Sequence, residues 1–422
     1  MRKNAPALVS MIGLWLAPVM LLPGPASARS AASLRVEHDR LAYRFAESLE
    51  FELAASADQS IDDIILRYTI GSEAPRNRRI PEFEPGKRVV ARHQEDLVRG
   101  QIPPASEIRW WWSLELADGS QVETEPQSLN YLDQRFDWEL LDAPDLRVWW
   151  YDADPDFARS VQASAREALA RLQALYGSEP GRRIDIVTFQ SQADLRPALI
   201  DRGDTYESRL ATLGARVADD ILVLDAGTRS DEREEVLAHE LSHIVLNLHL
   251  EEPYIDAPLW LDEGLAMYVE GPLDAEERAG LESAIRNDSL MSVRSLTSFP
   301  GDASLVILAY AESQDLISFL IESHGREALR ELLDGIGSGE ETPDEALERV
   351  YGYDQLALYQ AYRAARGLPP ALAPKADAAT TRRGPALEDR GDRSALPLPC
   401  SGAGLLLIGT LALAIRHWLL ID

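Results

Sequence analysis

The segment Val-Leu-Ala-His-Glu-Leu-Ser-His-Ile-Val-Leu at residues 236–246 decides how the rest of this chain is interpreted. It places His239 and His243 four residues apart in an apolar run. An α-helix completes a turn in about 3.6 residues, so the two imidazoles project from one face and can share a metal ion. Glu240 is rotated by about 100° from His239, so its carboxylate can reach a metal-bound water instead of the metal.

The chemistry of this segment predicts a Zn²⁺ site. Neutral imidazoles are favoured zinc ligands, and a catalytic site keeps one position for water. Zinc lowers the pKa of that water to roughly 7, and Glu240 can take its proton and pass it to a leaving amine. The chain has one cysteine, Cys400, so the remaining ligand has to be a His, Asp or Glu. The alternative interpretation is a helix whose histidines are simply packed or solvated.

His249 is one possible third ligand, because it follows His239 by ten residues, as in metzincins. In that pattern a glycine lets the chain turn back toward the metal. Leu246 stands at that place here, and the apolar pattern continues to Leu248. On an unbroken helix His249 is rotated by about 80° from His239 and lies two to three turns along, so it cannot reach the same ion.

Glu263 is the other candidate, twenty residues after His243 in Trp-Leu-Asp-Glu-Gly-Leu-Ala at residues 260–266. A second helix packed against the first can bring this carboxylate to the two histidines. Asp262 and Glu270 lie on the same predicted helix and compete with Glu263 on composition alone.

Residues 239–243 followed by residues 260–266 resemble the gluzincin pattern and, more narrowly, the bacterial peptidase MA-like family. The resemblance implies a zincin catalytic domain with a thermolysin-like fold, Glu263 as third zinc ligand, and a peptide or protein substrate. Two further features resemble secreted members of this family that have a C-terminal membrane anchor. One is the β-rich first part, which ends with Asp-Gln-Arg-Phe-Asp-Trp at residues 133–138, and the other is Ala-Tyr-Ala-Glu-Ser at residues 309–313.

A zincin also needs a hydrogen-bond donor for the oxyanion of the tetrahedral intermediate, usually a Tyr or His from a later helix. Tyr310 is the first choice, because it opens the long helix predicted after residue 304. Tyr268 and His324 are weaker candidates. Simple packing of Tyr310 between helices is the alternative. Asp262 is also a candidate for orienting a ligand histidine through a hydrogen bond.

The folded body divides into two parts. Short alternating runs separated by turn residues over 34–141 predict a β-sandwich of the immunoglobulin or fibronectin type. The run Trp110, Trp111 and Trp112 suggests a platform on which a carbohydrate could stack. In a strand, however, neighbouring side chains point to opposite faces, so at least one of these rings must point into the core, and structural packing is the favoured interpretation. From residue 146 to 368, strands come first and helices follow, which indicates an α+β catalytic domain.

The two ends of the chain are predicted to direct its location. Residues 1–28 have the charged start, apolar stretch and small-residue cleavage site of a signal peptide. Residues 369–395 lack apolar periodicity and are predicted to be a flexible linker. Residues 396–421 are long and apolar enough for a transmembrane anchor. Arg416 then lies on the cytoplasmic side if the catalytic domain is extracytoplasmic. We therefore expect an exported protein held to a membrane, unless this segment is a processed sorting signal.

The formal net charge of -28 disfavours a nucleic-acid partner, since phosphate binding needs a cationic face, and no such partner is predicted. The sequence therefore predicts a zinc-dependent metallopeptidase with Glu240 as general base. The alternative function is a cell-surface binding or adhesion protein, in which the predicted sandwich binds the partner and the zinc site is structural or vestigial.

Overall fold

The computed structural model describes residues 34–71, 77–200, 214–227, 229–250, 257–298 and 303–371. The predicted signal peptide, the predicted anchor with Cys400, and the predicted linker beyond residue 371 lie outside the described residues. Among the helices that are described, none is long and apolar enough to cross a membrane.

The N-terminal region is one seven-stranded antiparallel sheet. Its strands are β1 (Leu34–Arg44), β2 (Ser48–Ile70), β3 (Asn77–Arg79), β4 (Gly86–Asp96), β5 (Glu107–Leu116), β6 (Gln121–Glu123) and β7 (Gln127–Asn130). The first half of β2 pairs with β1 and β4, and its second half pairs with β3 and β5. The β-rich prediction for this region is confirmed, but a single sheet takes the place of the two separate sheets of the predicted sandwich.

The length of β2 explains this difference. With 23 residues, β2 is long enough to pair with one set of strands along its first half and another set along its second half. Its pairing with β4 shifts register between Ser56 and Ile61. Such irregularities bend a strand and increase its twist. The two halves therefore face each other, and Phe51 in the first half lies 5.1 Å from Tyr68 in the second, measured between ring centroids.

The tryptophans of β5 alternate as a strand requires. Trp110 and Trp112 are buried, whereas Trp111 between them is only partly buried. Both buried indoles donate a hydrogen bond to Asp39 Oδ1, over 2.8 and 2.9 Å. Burial raises the pKa of Asp39, although the two indole N–H groups oppose this effect. These contacts favour packing over the carbohydrate platform for Trp110 and Trp112.

A second sheet of five strands follows, in the order β11, β12, β10, β9, β8. The strands are β8 (Glu139–Asp142), β9 (Leu146–Trp150), β10 (Ile184–Phe189), β11 (Gly214–Ala218) and β12 (Ile221–Asp225). Strands β9, β10 and β12 are parallel, and β8 and β11 are antiparallel edges. Because β8 pairs with β9, this sheet starts at residue 139, before the expected start of the second domain at 146. The sequence had not predicted β11.

The helices of the second part are α1 (Pro155–Tyr176), α2 (Gln192–Leu195), α3 (Ser230–His249), α4 (Leu259–Glu270), α5 (Ala275–Arg286), α6 (Ala303–Gly337), α7 (Pro343–Tyr351) and α8 (Gln355–Ala365). Gly325, at φ 85°, kinks α6. The largest core lies between these helices and one face of the second sheet, represented by Val148, Ile186 and Leu222. This mixed α and β organisation agrees with the α+β prediction.

The other face of this sheet packs against the N-terminal region. Trp149, Val187 and Val223 share a core with residues that include Phe45 and Ala105. Gly100, at φ +73°, approaches the backbone of residues 199–200 so closely that a Cβ there would clash with main-chain atoms. The sheet that supports α3 is therefore buried on both faces, which gives the site a rigid base.

Candidate metal centre

The two histidines of α3 and one glutamate of α4 converge in the buried interface between these helices. The His239 and His243 rings lie 4.9 Å apart between centroids. Their Nε2 atoms are 3.5 and 3.6 Å from the same oxygen, Oε2 of Glu263. In the described part of the chain, this is the one group of three such side chains close enough to hold a metal.

Asp262 and Glu270 contact the opposite nitrogens of the two rings. Asp262 Oδ1 is 2.6 Å from His243 Nδ1, and Glu270 Oε2 is 3.2 Å from His239 Nδ1. A ring that donates from Nδ1 to a carboxylate keeps the lone pair of Nε2 for a metal. The two carboxylates that competed with Glu263 in the sequence therefore orient the histidines.

The charges around the histidines change several pKa values. Burial lowers the pKa of His239, but the nearby carboxylates of Glu263 and Glu270 outweigh it and raise this pKa well above its usual value. Burial also lowers the pKa of His243, and the nearby charges of Asp262 and Glu263 raise it overall. For Asp262, burial acts to raise the pKa, and the charge of His243 brings it below its usual value.

The donor set fits a zinc ion by two tests. First, His239 Nε2 and Glu263 Oε2 are buried without a hydrogen-bond partner among the described residues. Buried polar atoms nearly always have a partner, so these two point to a ligand between them. Second, donors sharing a tetrahedral zinc at bonds of about 2.0–2.2 Å lie about 3.3–3.6 Å apart. The 3.5 and 3.6 Å separations agree with this range.

Glu240 is buried beside this group and contacts the edge strand β11. Its Oε2 accepts a hydrogen bond of 3.1 Å from the backbone N–H of Arg216. Its Oε1 is buried, and no described residue is a hydrogen-bond partner for it. One carboxylate oxygen is thus held and the other is left for a ligand or water.

Gly264 explains how α4 comes close enough to present Glu263. A Cβ at this position would lie 2.6 Å from Ser313 O and 2.8 Å from Ile317 Cγ1, both on α6. A side chain here would force α4 and α6 apart. The glycine that follows Glu263 in the sequence pattern therefore serves the helix packing behind the site.

Tyr310 is buried on α6 and packs against Met267 and Val306. It lines a narrow space together with Glu263. Its role in binding an oxyanion stays a prediction.

The other candidates lie elsewhere. His249 Nε2 is 3.0 Å from Asp334 Oδ1 at the end of α3, away from the three-residue group. The His324 ring packs against Tyr351 and Tyr353, with centroids 5.0 and 5.6 Å away.

Strand β11 is the part of the site that the sequence reasoning missed. Residues 214–218 read Gly-Ala-Arg-Val-Ala, and this short run of mostly small residues has no clear alternation. Its strand structure comes from pairing with β12, which supplies the ladder hydrogen bonds. The sequence offered one signal, the glycine at the first position of this run, and it is a weak one.

Comparison with known proteins adds one family match. Residues 164–366 match the Peptidase MA superfamily. The match includes α3, α4 and α6 and so contains the whole metal centre. It supports a zincin-like metallopeptidase. The Peptidase MA superfamily is typically zinc-dependent, in agreement with the His239, His243 and Glu263 group. No curated protein sequence matches the chain.

Two solved structures are similar over part of their length. OgpA from Akkermansia muciniphila, solved as an inactive form with an O-glycopeptide, is 9% identical with a TM-score of 0.19. That similarity covers 24% of this chain, and the chain spans only 30% of OgpA. An aminopeptidase N family protein from Idiomarina loihiensis is 11% identical with a TM-score of 0.33, over 74% of this chain and 72% of its own.

Proposed function

We propose that this protein is a zinc-dependent peptidase of the gluzincin type, in which His239, His243 and Glu263 bind the metal and Glu240 is the general base. The observation that carries the proposal is the group of buried nitrogen and oxygen donors on α3 and α4, two of which have no partner among the described residues. The Peptidase MA match over the same helices gives independent support for peptide substrates.

A bound zinc ion would polarise the scissile carbonyl and acidify the attacking water. The protein's own groups do the rest. Asp262 and Glu270 hold the imidazoles in the orientation that presents Nε2, and burial keeps bulk water from the donors. Glu240 Oε1 takes a proton from the attacking water and delivers it to the leaving nitrogen as the C–N bond breaks. We assign Tyr310 as the donor to the developing oxyanion.

The variant Glu240→Gln tests this mechanism. We expect it to bind one zinc ion per chain, as the wild type does, and to cleave peptides about 10²–10⁴ times more slowly, the usual contribution of a general base. Glu234→Gln is the matched control, because this glutamate lies on the same helix and is exposed. A zinc-loaded Glu240→Gln protein that cleaves peptides within tenfold of wild type would contradict the mechanism.

The same experiment separates this function from the binding or adhesion alternative. Stoichiometric zinc in the wild type without turnover of any peptide in a broad substrate library would favour a structural site. The buried state of Trp110 and Trp112 removes one reason for the alternative, because these rings are not available to stack on a ligand.

We further propose that the peptidase acts outside the cytoplasm, exported by residues 1–28 and anchored through residues 396–421. This rests on the sequence patterns alone. Membrane fractionation of the full chain, compared with a chain ending at residue 395, tests the anchor. Equal amounts of the two proteins in the soluble fraction would contradict it.

A further inference from the structure

The contact between strand β11 and Glu240 is not required by the sequence motif. In an antiparallel pair, neighbouring residues alternate between bonding the partner strand and pointing away from it. Arg216 is opposite Leu222 of β12 in the ladder, and its N–H donates to Glu240 Oε2 over 3.1 Å, so this N–H points away from β12 and toward α3. The adjacent residue, Ala215, pairs with Val223 in the ladder.

Gly214 makes this approach possible. A Cβ at position 214 would lie 2.5 Å from Val236 Cγ1 and 3.5 Å from Glu240 Cγ. Side chains essentially never pack at the first of these distances, so any other residue would push β11 away from α3. The hydrogen bond between the strand and Glu240 therefore depends on a glycine two residues before the donor.

The charge of Arg216 also influences Asp262. Burial acts to raise the pKa of Asp262, and the nearby charges, first that of His243 and then that of Arg216, lower it overall. One residue of β11 thus acts on two acidic groups of the centre, on Glu240 through its amide and on Asp262 through its charge.

We propose that the Arg216 backbone amide positions the general base: it holds Glu240 Oε2 so that Oε1 is presented to the water. A flexible glutamate without this bond would populate several rotamers. The Arg216 amide has a positioning role, because this N–H acts on the reaction only through Glu240. The effect on turnover rests on the proposed peptidase function, whereas the hydrogen bond itself does not.

Amide hydrogen exchange tests the hydrogen bond without any reference to catalysis. In the metal-free full chain, the Arg216 amide should exchange at least tenfold faster in Glu240→Ala than in wild type. In Glu240→Gln it should stay close to wild type, because the amide oxygen of Gln still accepts. Ala215, whose alternation points it to β12, is the reference within the same strand and should not change. Equal Arg216 exchange in Glu240→Ala and wild type overturns the proposal.

Turnover tests the consequence. Arg216→Pro removes the N–H, and proline is tolerated at an edge strand where the N–H faces away from the ladder. Arg216→Ala is the comparison, since it loses the same side chain and keeps the amide. We expect kcat of Arg216→Pro to be about tenfold below that of Arg216→Ala, with zinc stoichiometry and KM unchanged. If the kcat of Arg216→Pro is within twofold of the kcat of Arg216→Ala, the proposal is overturned.

Gly214→Ala decides the question if Arg216→Pro does not fold. It should lower kcat and speed Arg216 exchange together, because it lengthens the same hydrogen bond, and unchanged values of both overturn the proposal. If zinc-loaded wild type cleaves no peptide while the exchange result is as expected, the peptidase function is wrong and the contact between Arg216 and Glu240 stands.

Discussion

Glu312 should make the stability of this protein depend on pH in a way that a single substitution removes. Its side chain is fully buried on α6, and its Oε2 accepts a hydrogen bond of 2.8 Å from the Met291 N–H. Burial raises the pKa of Glu312 from 4.5 to about 8; the Met291 bond opposes this rise and the charge of Asp315 adds to it. At neutral pH the folded protein therefore keeps this carboxyl protonated.

The sign and size of the effect follow from proton linkage. Between pH 4.5 and 8 the folded state holds a proton on Glu312 that the unfolded state has lost, so the free energy of unfolding falls as pH rises. The slope is about 1.4 kcal/mol per pH unit, and the total over this window is on the order of 5 kcal/mol. Below pH 4.5 the stabilisation is fully present, and above the folded pKa it is gone.

Glu312→Gln removes the titration and can keep the bond to Met291. We will compare the free energies of unfolding of this variant and wild type in urea at pH 5.0 and at pH 6.5. From the lower to the higher pH, the value for the variant minus that for wild type should increase by about 2 kcal/mol. Glu322→Gln, on the exposed side of the same helix, is the control and should stay within about 0.5 kcal/mol of wild type. A difference between Glu312→Gln and wild type that stays constant from pH 5 to pH 8 would refute the reasoning.

Three other substitutions and one control test helix packing, zinc binding and the contact between the two parts of the protein. Gly264→Ala should cost about 1–3 kcal/mol of unfolding free energy by overpacking the contact of α4 with α6. Gly280→Ala is the control: position 280 on α5 faces open space, so this variant should be slightly more stable than wild type. Equal changes of the unfolding temperature in Gly264→Ala and Gly280→Ala would contradict the prediction. Asp262→Ala should weaken zinc binding about 10–100-fold in a chelator competition, because His243 loses its Nδ1 partner. Unchanged affinity would show that this contact does not orient the ring. Gly100→Ala should lower the unfolding temperature, since its positive φ and the neighbouring backbone both exclude a Cβ; a temperature equal to wild type would argue against the contact between the two parts.

Helix α4 has an unusual share of the site. It carries Asp262, Glu263 and Glu270, which contact His243 Nδ1, both Nε2 atoms and His239 Nδ1 respectively. Because Asp262 and Glu263 are adjacent and Glu270 follows two turns after Glu263, one rigid helix sets four of the distances in the centre. Any change that shifts α4 against α3 therefore alters all of these contacts together, which is why the packing glycine at 264 matters to the chemistry.

Local sequence patterns were enough to predict the helix of His239 and His243 and a second helix carrying Glu263. Each of these depends on side-chain spacing within a single element, and helical or strand periodicity records that spacing directly. The resemblance to a known pattern, and not the spacing, selected Glu263 from its neighbours on α4.

The tertiary structure decided the rest. Which nitrogen of each histidine meets Asp262 or Glu270 depends on how α3 packs on α4, and no local pattern encodes that packing. The same is true of the Arg216 amide on Glu240, because a backbone donor has no residue type to read from a sequence. The fold of β2 into both halves of one sheet likewise arises from pairing between distant strands. Sequence periodicity therefore determined which face each element presents, and only long-range packing determined which atoms meet there.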